Sequence, residues 1–210
     1  MPSFTLRYFP IHARAEPIKA ILSYAAADWQ LVSPQWPQEK SSQPSGRMPV
    51  LEETTAGGSK FILSESLAIE EYLANMFDLA VSENPQKVAR QKELRSQLKD
   101  VWDLAIQYKF GTPESRPATK NKYDVVARSV IEFHEDHLAK NGSNGHYFGS
   151  QITYLDLAVF ATITAMTKYI TPDFPEAIGY FSKQSAPLIN KVLEKVSENP
   201  RMTSYVQNTL

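Results

Sequence analysis

The chain contains no cysteine among its 210 residues. Disulfide bonds, thiolate metal sites, a Cys-x-x-Cys redox pair and a cysteine nucleophile are therefore all excluded. Disulfide frameworks belong mainly to secreted proteins, whereas cytosolic thiols stay reduced. The composition thus fits a cytoplasmic protein, and we expect that localisation.

Excess charge and long apolar runs are lacking as well. The formal net charge is -1, which gives no electrostatic basis for binding nucleic acid or an acidic membrane. No apolar run reaches the roughly 18 residues of a membrane span, and the longest, Leu157 to Met166, predicts a buried helix. Charged residues such as Arg7 and Arg14 interrupt the N-terminal segment, so no signal peptide is expected. The sequence predicts neither a nucleic-acid partner nor a membrane partner.

What is present is a chain with 42% hydrophobic residues, ample for a core, whose pattern changes near residue 80. In the first part, Ser3–Phe9 alternates like a strand, and a helix follows with Pro17 in its first turn, where proline is tolerated. Trp29–Val32 then predicts a second strand. A strand, a helix and a strand in this order favour two parallel strands.

The segment from Gly46 to Ile69 is the most informative stretch. Two short apolar runs flank Gly57-Gly58, which indicates a β-hairpin. The second run leads into a helix for which Ser64 and Ser66 are both candidate N-caps. A helix N-terminus beside a hydroxyl is suited to a carboxylate. An ordinary hairpin followed by a capped helix explains the same pattern without any function.

Near the start of this segment, Pro49 restricts the residue before it to an extended conformation. The backbone of Met48 is therefore expected to be available for pairing with an extended peptide.

From residue 85 onward the apolar residues recur at helical spacing. Two long amphipathic helices are predicted on either side of a break at 111–113. Thr153 and Asp156 form a capping-box pattern that opens the apolar helix Leu157–Lys168. Two closing helices are predicted over 187–197 and 200–208. The expected fold is an α/β domain over residues 1–78, followed by an all-helical domain over 83–210.

The chain resembles the cytosolic glutathione transferases, and among them the sigma class, over nearly its whole length. The motifs that carry the resemblance are short and occur in the family's order: Leu6–Phe9 with His12–Glu16, Trp36–Lys40, Gly46–Leu51, Glu65–Ile69, and Tyr147–Gly149 with Thr153 and Asp156–Phe160. The family fold that this implies is a thioredoxin-like N-terminal domain plus an all-helical C-terminal domain. The resemblance also implies a homodimer that uses glutathione as co-substrate.

The resemblance implies that Tyr8 is the catalytic tyrosine and that Arg14 supports it. A tyrosine hydroxyl that donates to the glutathione sulfur favours the thiolate. From the residues alone, Tyr8 is more simply explained as a strand tyrosine that packs on the core, and it is the resemblance that favours catalysis. Cis geometry is expected for the peptide before Pro49.

The remaining positions that resemble glutathione-binding residues are spread over both parts of the chain: Trp36, Lys40, Arg47, Met48, Pro49, Glu65, Ser66 and, reaching across the dimer, Asp100, with Asp103 as the alternative. Glu65 departs from the family, since sigma enzymes usually have glutamine there. Solvated surface residues are the simpler explanation for Lys40 and Arg47.

For the hydrophobic second substrate, the candidate wall residues are Phe9, Trp102, Ile106, Tyr108 and Leu210. Aromatic residues at helical spacing more often belong to the core than to a pocket. His134 and His137 lie one helical turn apart, but no third ligand is evident, so no metal site is expected.

The function implied is conjugation of the glutathione thiolate to hydrophobic electrophiles, as in detoxification. Two alternatives stay open. One is a glutathione-dependent isomerase of the prostaglandin synthase kind, and the other is a non-catalytic binding protein, as the cephalopod lens crystallins are.

Overall fold

The computed structural model describes residues 2–81 and 84–209. Its sheet has four strands in the order β2-β1-β3-β4. The strands are β1 (Ser3–Arg7), β2 (Asp28–Val32), β3 (Val50–Thr54) and β4 (Lys60–Ser64). The first strand pairs in parallel with β2 and antiparallel with β3, and β3 and β4 form the antiparallel hairpin. The predicted parallel pair and the predicted hairpin are both confirmed.

Two helices, α1 (Glu16–Tyr24) and α2 (Ser66–Met76), accompany this sheet. Pro17 lies in the first turn of α1, as predicted, and Ile18, Ile21 and Leu22 of the same helix are fully buried. These residues repeat at helical spacing, so one face of α1 supplies a large part of the core.

The start of α2 differs from the prediction. Ser64 ends β4, Ser66 is already the first helical residue, and the N-cap is Glu65, whose side chain makes no capping bond. The expected serine N-cap is wrong because the backbone reverses at Glu65 with a φ of 72°. Such a φ is rare for residues other than glycine and costs of the order of 1–3 kcal/mol, and residues of this kind cluster at functional sites.

The second part is helical throughout. Its α-helices are α3 (Pro85–Lys109), α4 (Arg116–Lys140), α5 (Tyr154–Ala165), α6 (Pro187–Ser197) and α7 (Thr203–Thr209). Short 3-10 turns cover Pro175–Phe181 and Pro200–Met202 here, and two others, Lys40–Ser42 and Pro44–Gly46, lie between β2 and β3 in the first part. Within the ranges that the structure describes, no helix is both long and apolar enough to cross a membrane.

The central helix of this part is α5, whose residues are all buried. Its capping box is confirmed, since the Asp156 carboxylate accepts bonds from the Thr153 backbone N–H at 2.8 Å and from the Thr153 hydroxyl at 2.7 Å. The helix ends sooner than the predicted Lys168. A π-helical turn, Met166–Ile170, follows it, and the Thr171 N–H donates to the Met166 carbonyl at 3.0 Å.

Polar side chains inside the helical part are connected to one another. Tyr147 is fully buried, its hydroxyl lies 2.7 Å from Nδ1 of His134, and its backbone N–H donates to Asp156 at 2.9 Å. The ring of His137 bonds to the Tyr147 carbonyl at 2.8 Å. This group, here called the buried polar network, ties α4 to the loop that precedes α5.

A buried ion pair joins the two parts of the chain. Arg95 of α3 donates two hydrogen bonds, of 2.6 and 2.7 Å, to the two carboxylate oxygens of Glu70 on α2. Both side chains are almost completely inaccessible to solvent. Planar, bidentate pairing is the geometry in which arginine and a carboxylate interact most strongly, so α2 and α3 are held in a defined orientation.

Candidate active site

A cleft of about 400 Å³ lies at the end of β1 and the start of α2. The residues that line it come from the β1–α1 turn, the loop before β3 and the N-terminus of α2: Tyr8, Phe9, Arg14, Trp36, Lys40, Gly46, Arg47, Met48, Pro49, Glu65 and Ser66. Apart from Asp100, every residue assigned to glutathione on resemblance lines this one cleft. These residues lie up to 58 positions apart in the sequence. They come together because the fold places the loop before β3 and the start of α2 at the end of β1.

Tyr8 follows directly after β1 and is 6% exposed. Its hydroxyl oxygen accepts a hydrogen bond from the Arg14 backbone N–H at 3.1 Å. Burial raises the pKa of Tyr8 to about 12, against the lowering effect of that hydrogen bond. The phenol therefore keeps its proton at neutral pH. Because the oxygen already accepts a bond from the protein, the O–H is left to donate elsewhere.

Arg14 is itself held by the helical part of the chain. Its guanidinium bonds to the Asp103 carboxylate at 3.0 Å, and Lys99 of the same helix bonds to the other oxygen of Asp103. The sequence analysis considered Asp103 only as an alternative residue reaching across a dimer. It did not detect this contact within one chain, which spans 89 positions. Asp100, one turn earlier on α3, is exposed and does not line the cleft of its own chain.

The loop before β3 forms one side of the cleft. The Trp36 and Phe9 rings pack in a T-shaped arrangement, with 5.6 Å between ring centroids. The Lys40 ammonium lies 5.9 Å from the centre of the Trp36 ring and forms no hydrogen bond within the described ranges. The Trp36–Pro37 peptide is cis. A cation without a protein partner beside an aromatic wall is suited to the carboxylate end of a ligand.

The same loop also presents backbone groups to the cleft. The Met48–Pro49 peptide is cis, as predicted. Neither the backbone N–H nor the carbonyl of Met48 is bonded to any residue that the structure describes. Such free groups on an extended residue are what an added peptide strand pairs with.

The N-terminus of α2 closes this end of the cleft. The first intrahelical bond of α2 runs from the Ile69 N–H to the Glu65 carbonyl, so the N–H groups of Ser66, Leu67 and Ala68 are free of helical bonds. The Ser66 side chain is 7% exposed. Arg47 and Glu65 lie 4.0 Å apart at the solvent side, a weak and exposed ion pair. Free N–H groups, the helix dipole and a hydroxyl together favour a bound carboxylate.

The residues predicted for a hydrophobic substrate are not all brought together. Phe9 lines the cleft, and Trp102 lines a cavity of about 20 Å³ behind it, between α3 and α5. Tyr108 stacks on Phe174, with 3.9 Å between ring centroids, and Ile106 is half-buried on α3. Leu210 lies outside the described residues. Of the four that the structure describes, only Phe9 therefore belongs to the wall of the cleft itself.

The two histidines that were considered as metal ligands belong to the buried polar network. Burial lowers the pKa of His134 to about 3, and it also lowers the pKa of His137. Across residues 2–81 and 84–209, no three histidine, aspartate or glutamate side chains are grouped as a metal site would require.

The sequence matches two family models, "Glutathione S-transferase, N-terminal domain" over residues 3–75 and "Glutathione S-transferase, C-terminal domain" over residues 99–209. A probable glutathione S-transferase 6 of Caenorhabditis elegans is 33% identical over 167 residues, which cover 76% of this chain and 78% of the relative. S-crystallin 4 of Enteroctopus dofleini is 25% identical over 222 residues, 99% of this chain and 97% of the relative.

Among solved structures, the sigma class enzyme of Fasciola hepatica has the same fold, with a TM-score of 0.81 and 23% identity over 100% of this chain and 97% of that one. The resemblance seen in the sequence is thereby confirmed, as is the expected fold of a thioredoxin-like domain followed by helices. The chain belongs to the glutathione S-transferase family of enzymes, with glutathione as its co-substrate.

Proposed function

We propose that the cleft binds glutathione with its thiol against Tyr8, and that Tyr8 stabilises the thiolate for attack on a hydrophobic electrophile. The observation that carries this proposal is the state of the Tyr8 hydroxyl, which is protonated, accepts from the Arg14 N–H, and so has its proton available for a sulfur. A free thiol has a pKa of roughly 8.5, so only a few per cent is thiolate at neutral pH. A donor aimed at sulfur raises that fraction without removing a proton itself.

The rest of glutathione matches the two ends of the cleft. Lys40 and Trp36, with Arg47 beside them, suit the glycyl carboxylate, and the backbone of Met48 before Pro49 suits the cysteinyl unit. Ser66 and the first turn of α2 suit the γ-glutamyl carboxylate. Glu65 then suits the γ-glutamyl ammonium. Its carboxylate is exposed, and its ion pair within the described residues is the weak one with Arg47 at 4.0 Å.

We assign the roles to two domains, residues 1–78 for glutathione and 83–210 for most of the second substrate's surroundings. Phe9, Trp102, Ile106 and Tyr108 remain the candidates for the latter, and Leu210 is retained with them. A sigma-like class, a cytoplasmic localisation and a role in detoxification complete the proposal. The motifs support the sigma-like class, and the absence of cysteine supports the cytoplasmic localisation.

We further propose that two copies of the chain form a dimer in which Asp100 of one copy reaches the γ-glutamyl ammonium bound by the other. Phe61 and Ile62 on the edge strand β4 are 45% and 52% exposed. An exposed apolar pair on a sheet edge favours association, and Asp100 is exposed on α3.

Asp100→Ala should raise the glutathione KM more than it lowers kcat, because it removes a contact made equally in ground and transition states. Steady-state kinetics with glutathione varied provide the measurement. An unchanged KM, or a monomer in light scattering, would contradict the shared site.

The central test is Tyr8→Phe, which keeps the ring and its packing and removes only the hydroxyl. Loss of one donor to a developing anion typically costs about a hundredfold in rate or more, and sulfur, being a weaker acceptor, should place the loss at or below that value. Glutathione affinity, measured by calorimetry, should change little. The kcat/KM of the variant should recover partly at alkaline pH, where the thiolate forms without help.

An ultraviolet difference spectrum of bound glutathione reports the thiolate directly. Wild-type activity together with an unshifted pH profile in Tyr8→Phe would make Tyr8 a packing residue. Retention of the wild-type chain on glutathione resin without turnover of any electrophile would instead favour a binding protein of the crystallin kind.

A further inference from the structure

A small cavity lies behind the cleft, where the two parts of the chain meet. Its volume is about 20 Å³, and it is here called the rear cavity. Roughly 10–15 Å³ suffices for one water molecule, so the rear cavity has room for a single small occupant. Its polar lining side chains are Arg14, Ser66, Arg95, Lys99, Trp102 and Thr162, and the others are alanine and proline.

Every one of these polar side chains can donate a hydrogen bond. The guanidinium, the ammonium and the indole N–H are donors only, whereas the two hydroxyls can both donate and accept. No aspartate or glutamate among the described residues lines the rear cavity. A lining of this composition suits an occupant that only accepts hydrogen bonds, which an anion does and a water molecule does not.

The indole of Trp102 carries the clearest unmet requirement. The side chain is 6% exposed, and its Nε1 is inaccessible to solvent and has no acceptor within the described ranges. The hydroxyl of the buried Thr162 is likewise not bonded to any described residue. A buried donor without an acceptor is destabilising, so the packing around Trp102 favours an acceptor in the adjoining cavity.

The charges around the rear cavity add up to a positive value. Arg95 is paired with Glu70. Arg14 and Lys99 both bond to Asp103. Three cations thus share two carboxylates, which leaves this group of side chains with one positive charge. The cations line the cavity and the carboxylates do not, so the positive end of each pair is the one nearer to an occupant.

Two helices also begin at the rear cavity. Pro17 in the first turn of α1 and Ser66, the first residue of α2, both line it. The N-terminal end of a helix carries a partial positive charge of about half an elementary charge. Side-chain cations, helix dipoles and hydrogen-bond donors therefore all stabilise negative charge at the same place.

We propose that the rear cavity binds one monoatomic anion, chloride in the cell, against the Trp102 N–H and the Thr162 hydroxyl. A polyatomic ion such as sulfate is too large for a cavity that holds a single small occupant. The side chains of Arg14 and Lys99 are 38% and 34% exposed, which gives the ion a path from solvent.

Chloride at this place should weaken the binding of glutathione. Arg14 and Ser66 line both the rear cavity and the cleft, so the ion lies close to the position assigned to the γ-glutamyl carboxylate. Like charges repel, and a coupling between two binding sites acts equally in both directions. This consequence rests on the proposed function, whereas the anion site itself does not.

Bromide locates the site directly, because it replaces chloride and scatters X-rays anomalously. Crystals of the wild-type chain soaked in sodium bromide should show an anomalous peak in the rear cavity, within hydrogen-bonding distance of Trp102 Nε1. Bromide on the outer surface alone, or a water molecule without anomalous signal in the cavity, would overturn the proposal.

Thr162→Val tests the site in solution, since it keeps the shape of the side chain and removes the hydroxyl. The broadening of the chloride NMR line measures binding. We expect affinity for chloride to fall by about tenfold or more, as for a lost hydrogen bond to a charged group. Thr164→Val is the matched control, because Thr164 is buried on the same helix but does not line the rear cavity. Equal chloride affinity in Thr162→Val and wild type would contradict the assignment.

Calorimetric titration of glutathione in sodium chloride and in sodium gluconate, at equal ionic strength, measures the coupling. Both media screen charges alike, but gluconate is too large to enter the cavity. The Kd of glutathione should be about fivefold weaker in chloride for wild type and Thr164→Val, and equal in the two media for Thr162→Val.

The outcomes separate the two proposals. If wild type binds glutathione in neither medium, the proposed function fails, and the bromide peak alone decides the anion site. If bromide occupies the rear cavity but glutathione binds equally in both media, the site stands and its coupling to the cleft is overturned. A bromide peak, a chloride effect and the loss of that effect in Thr162→Val together would establish both.

Discussion

The cleft and the buried polar network use polar side chains in opposite ways. Asp156 accepts hydrogen bonds from Thr153 and Tyr147 and is inaccessible to solvent. In the cleft, by contrast, the Lys40 ammonium and the backbone of Met48 have no hydrogen-bonding partner within the described residues. Polar groups of the network bond to one another within the fold, whereas these groups of the cleft are left free to bond to a ligand.

This difference indicates how stability and binding are separated in one small protein. Buried polar groups stabilise only when their partners are present, because an unpaired one costs about 1–3 kcal/mol. Polar groups at the cleft stay near solvent, so leaving them unpaired costs little. We therefore expect substitutions in the network to change the free energy of unfolding and to leave ligand binding nearly unchanged. Substitutions in the cleft should do the reverse.

The largest effect should come from Asp156→Ala. It removes the acceptor of three hydrogen bonds in a fully buried position, two of which come from the backbone. We expect the free energy of unfolding to fall by about 3–5 kcal/mol, measured by denaturant titration. Any folded fraction should still bind glutathione normally.

Asp136→Ala is the matched control for this variant. Its carboxylate forms an exposed i,i+4 pair with Lys140, so its removal should cost about 0.5 kcal/mol or less. Equal destabilisation by the two variants would mean that the network does not hold α5 in place.

The next largest effect should be the loss of stability that His134 causes on acidification. Its folded-state pKa lies near 3, below the value of about 6.5 in the unfolded chain, so the unfolded state binds the extra proton. Stability from this residue is therefore complete above pH 6.5 and is lost as the pH falls toward 3. The loss should reach about 2 kcal/mol at pH 5.

The measurement is the difference in unfolding free energy between pH 7 and pH 5. His134→Gln should remove most of the part due to this residue, although its own stability at pH 7 will be lower. A pH dependence as steep as that of wild type would place the acid sensitivity elsewhere.

In the cleft, Lys40→Ala should weaken glutathione binding by about tenfold, or about 1.4 kcal/mol, because it removes a charge-assisted contact. The unfolding free energy should stay within about 0.5 kcal/mol of wild type. Calorimetric titration and denaturant unfolding of the same sample measure both. Lys140→Ala, on the exposed surface of α4, is the control and should leave binding unchanged.

The smallest effect belongs to the contact that joins the cleft to α3. Asp103→Asn weakens the hold on the Arg14 guanidinium, but the Arg14 backbone N–H still donates to Tyr8. We expect kcat to fall about twofold to fivefold, since this partly exposed pair is worth less than about 1 kcal/mol. Asp124→Asn removes a similar pair with Lys120 on α4 and should not change kcat.

Much of this architecture was predictable because it is locally encoded. Apolar spacing predicted the long helices, Gly57-Gly58 predicted the hairpin, and Thr153 with Asp156 predicted the cap of α5. The motifs also predicted which residues share the cleft, apart from Asp100. Their roles in binding and catalysis remain predictions.

Other features depend on contacts that sequence spacing does not contain. The N-cap at Glu65 depends on the backbone path from β4 into α2. Sequence spacing does not contain that path, so the two neighbouring serines led to a wrong prediction. The Arg14–Asp103 contact depends on how α5 positions two elements that both pack on it, α3 and α1. The π turn Met166–Ile170 lies just before Asp173, whose carboxylate bonds to Lys109 of α3, and apolar periodicity contains no signal for either feature.

The π turn also makes the packing that follows α5 open to change by a very small genetic event. A bond from residue i+5 instead of i+4 means that the chain between Met166 and Thr171 carries one residue more than an α-helical turn needs. Deletion of one codon there would restore the α-helical repeat and rotate the following side chains by about 100° relative to α5. The capping box and the core face of α5 precede this point, so such a deletion would reorient the residues after Ala165 and leave α5 itself in place.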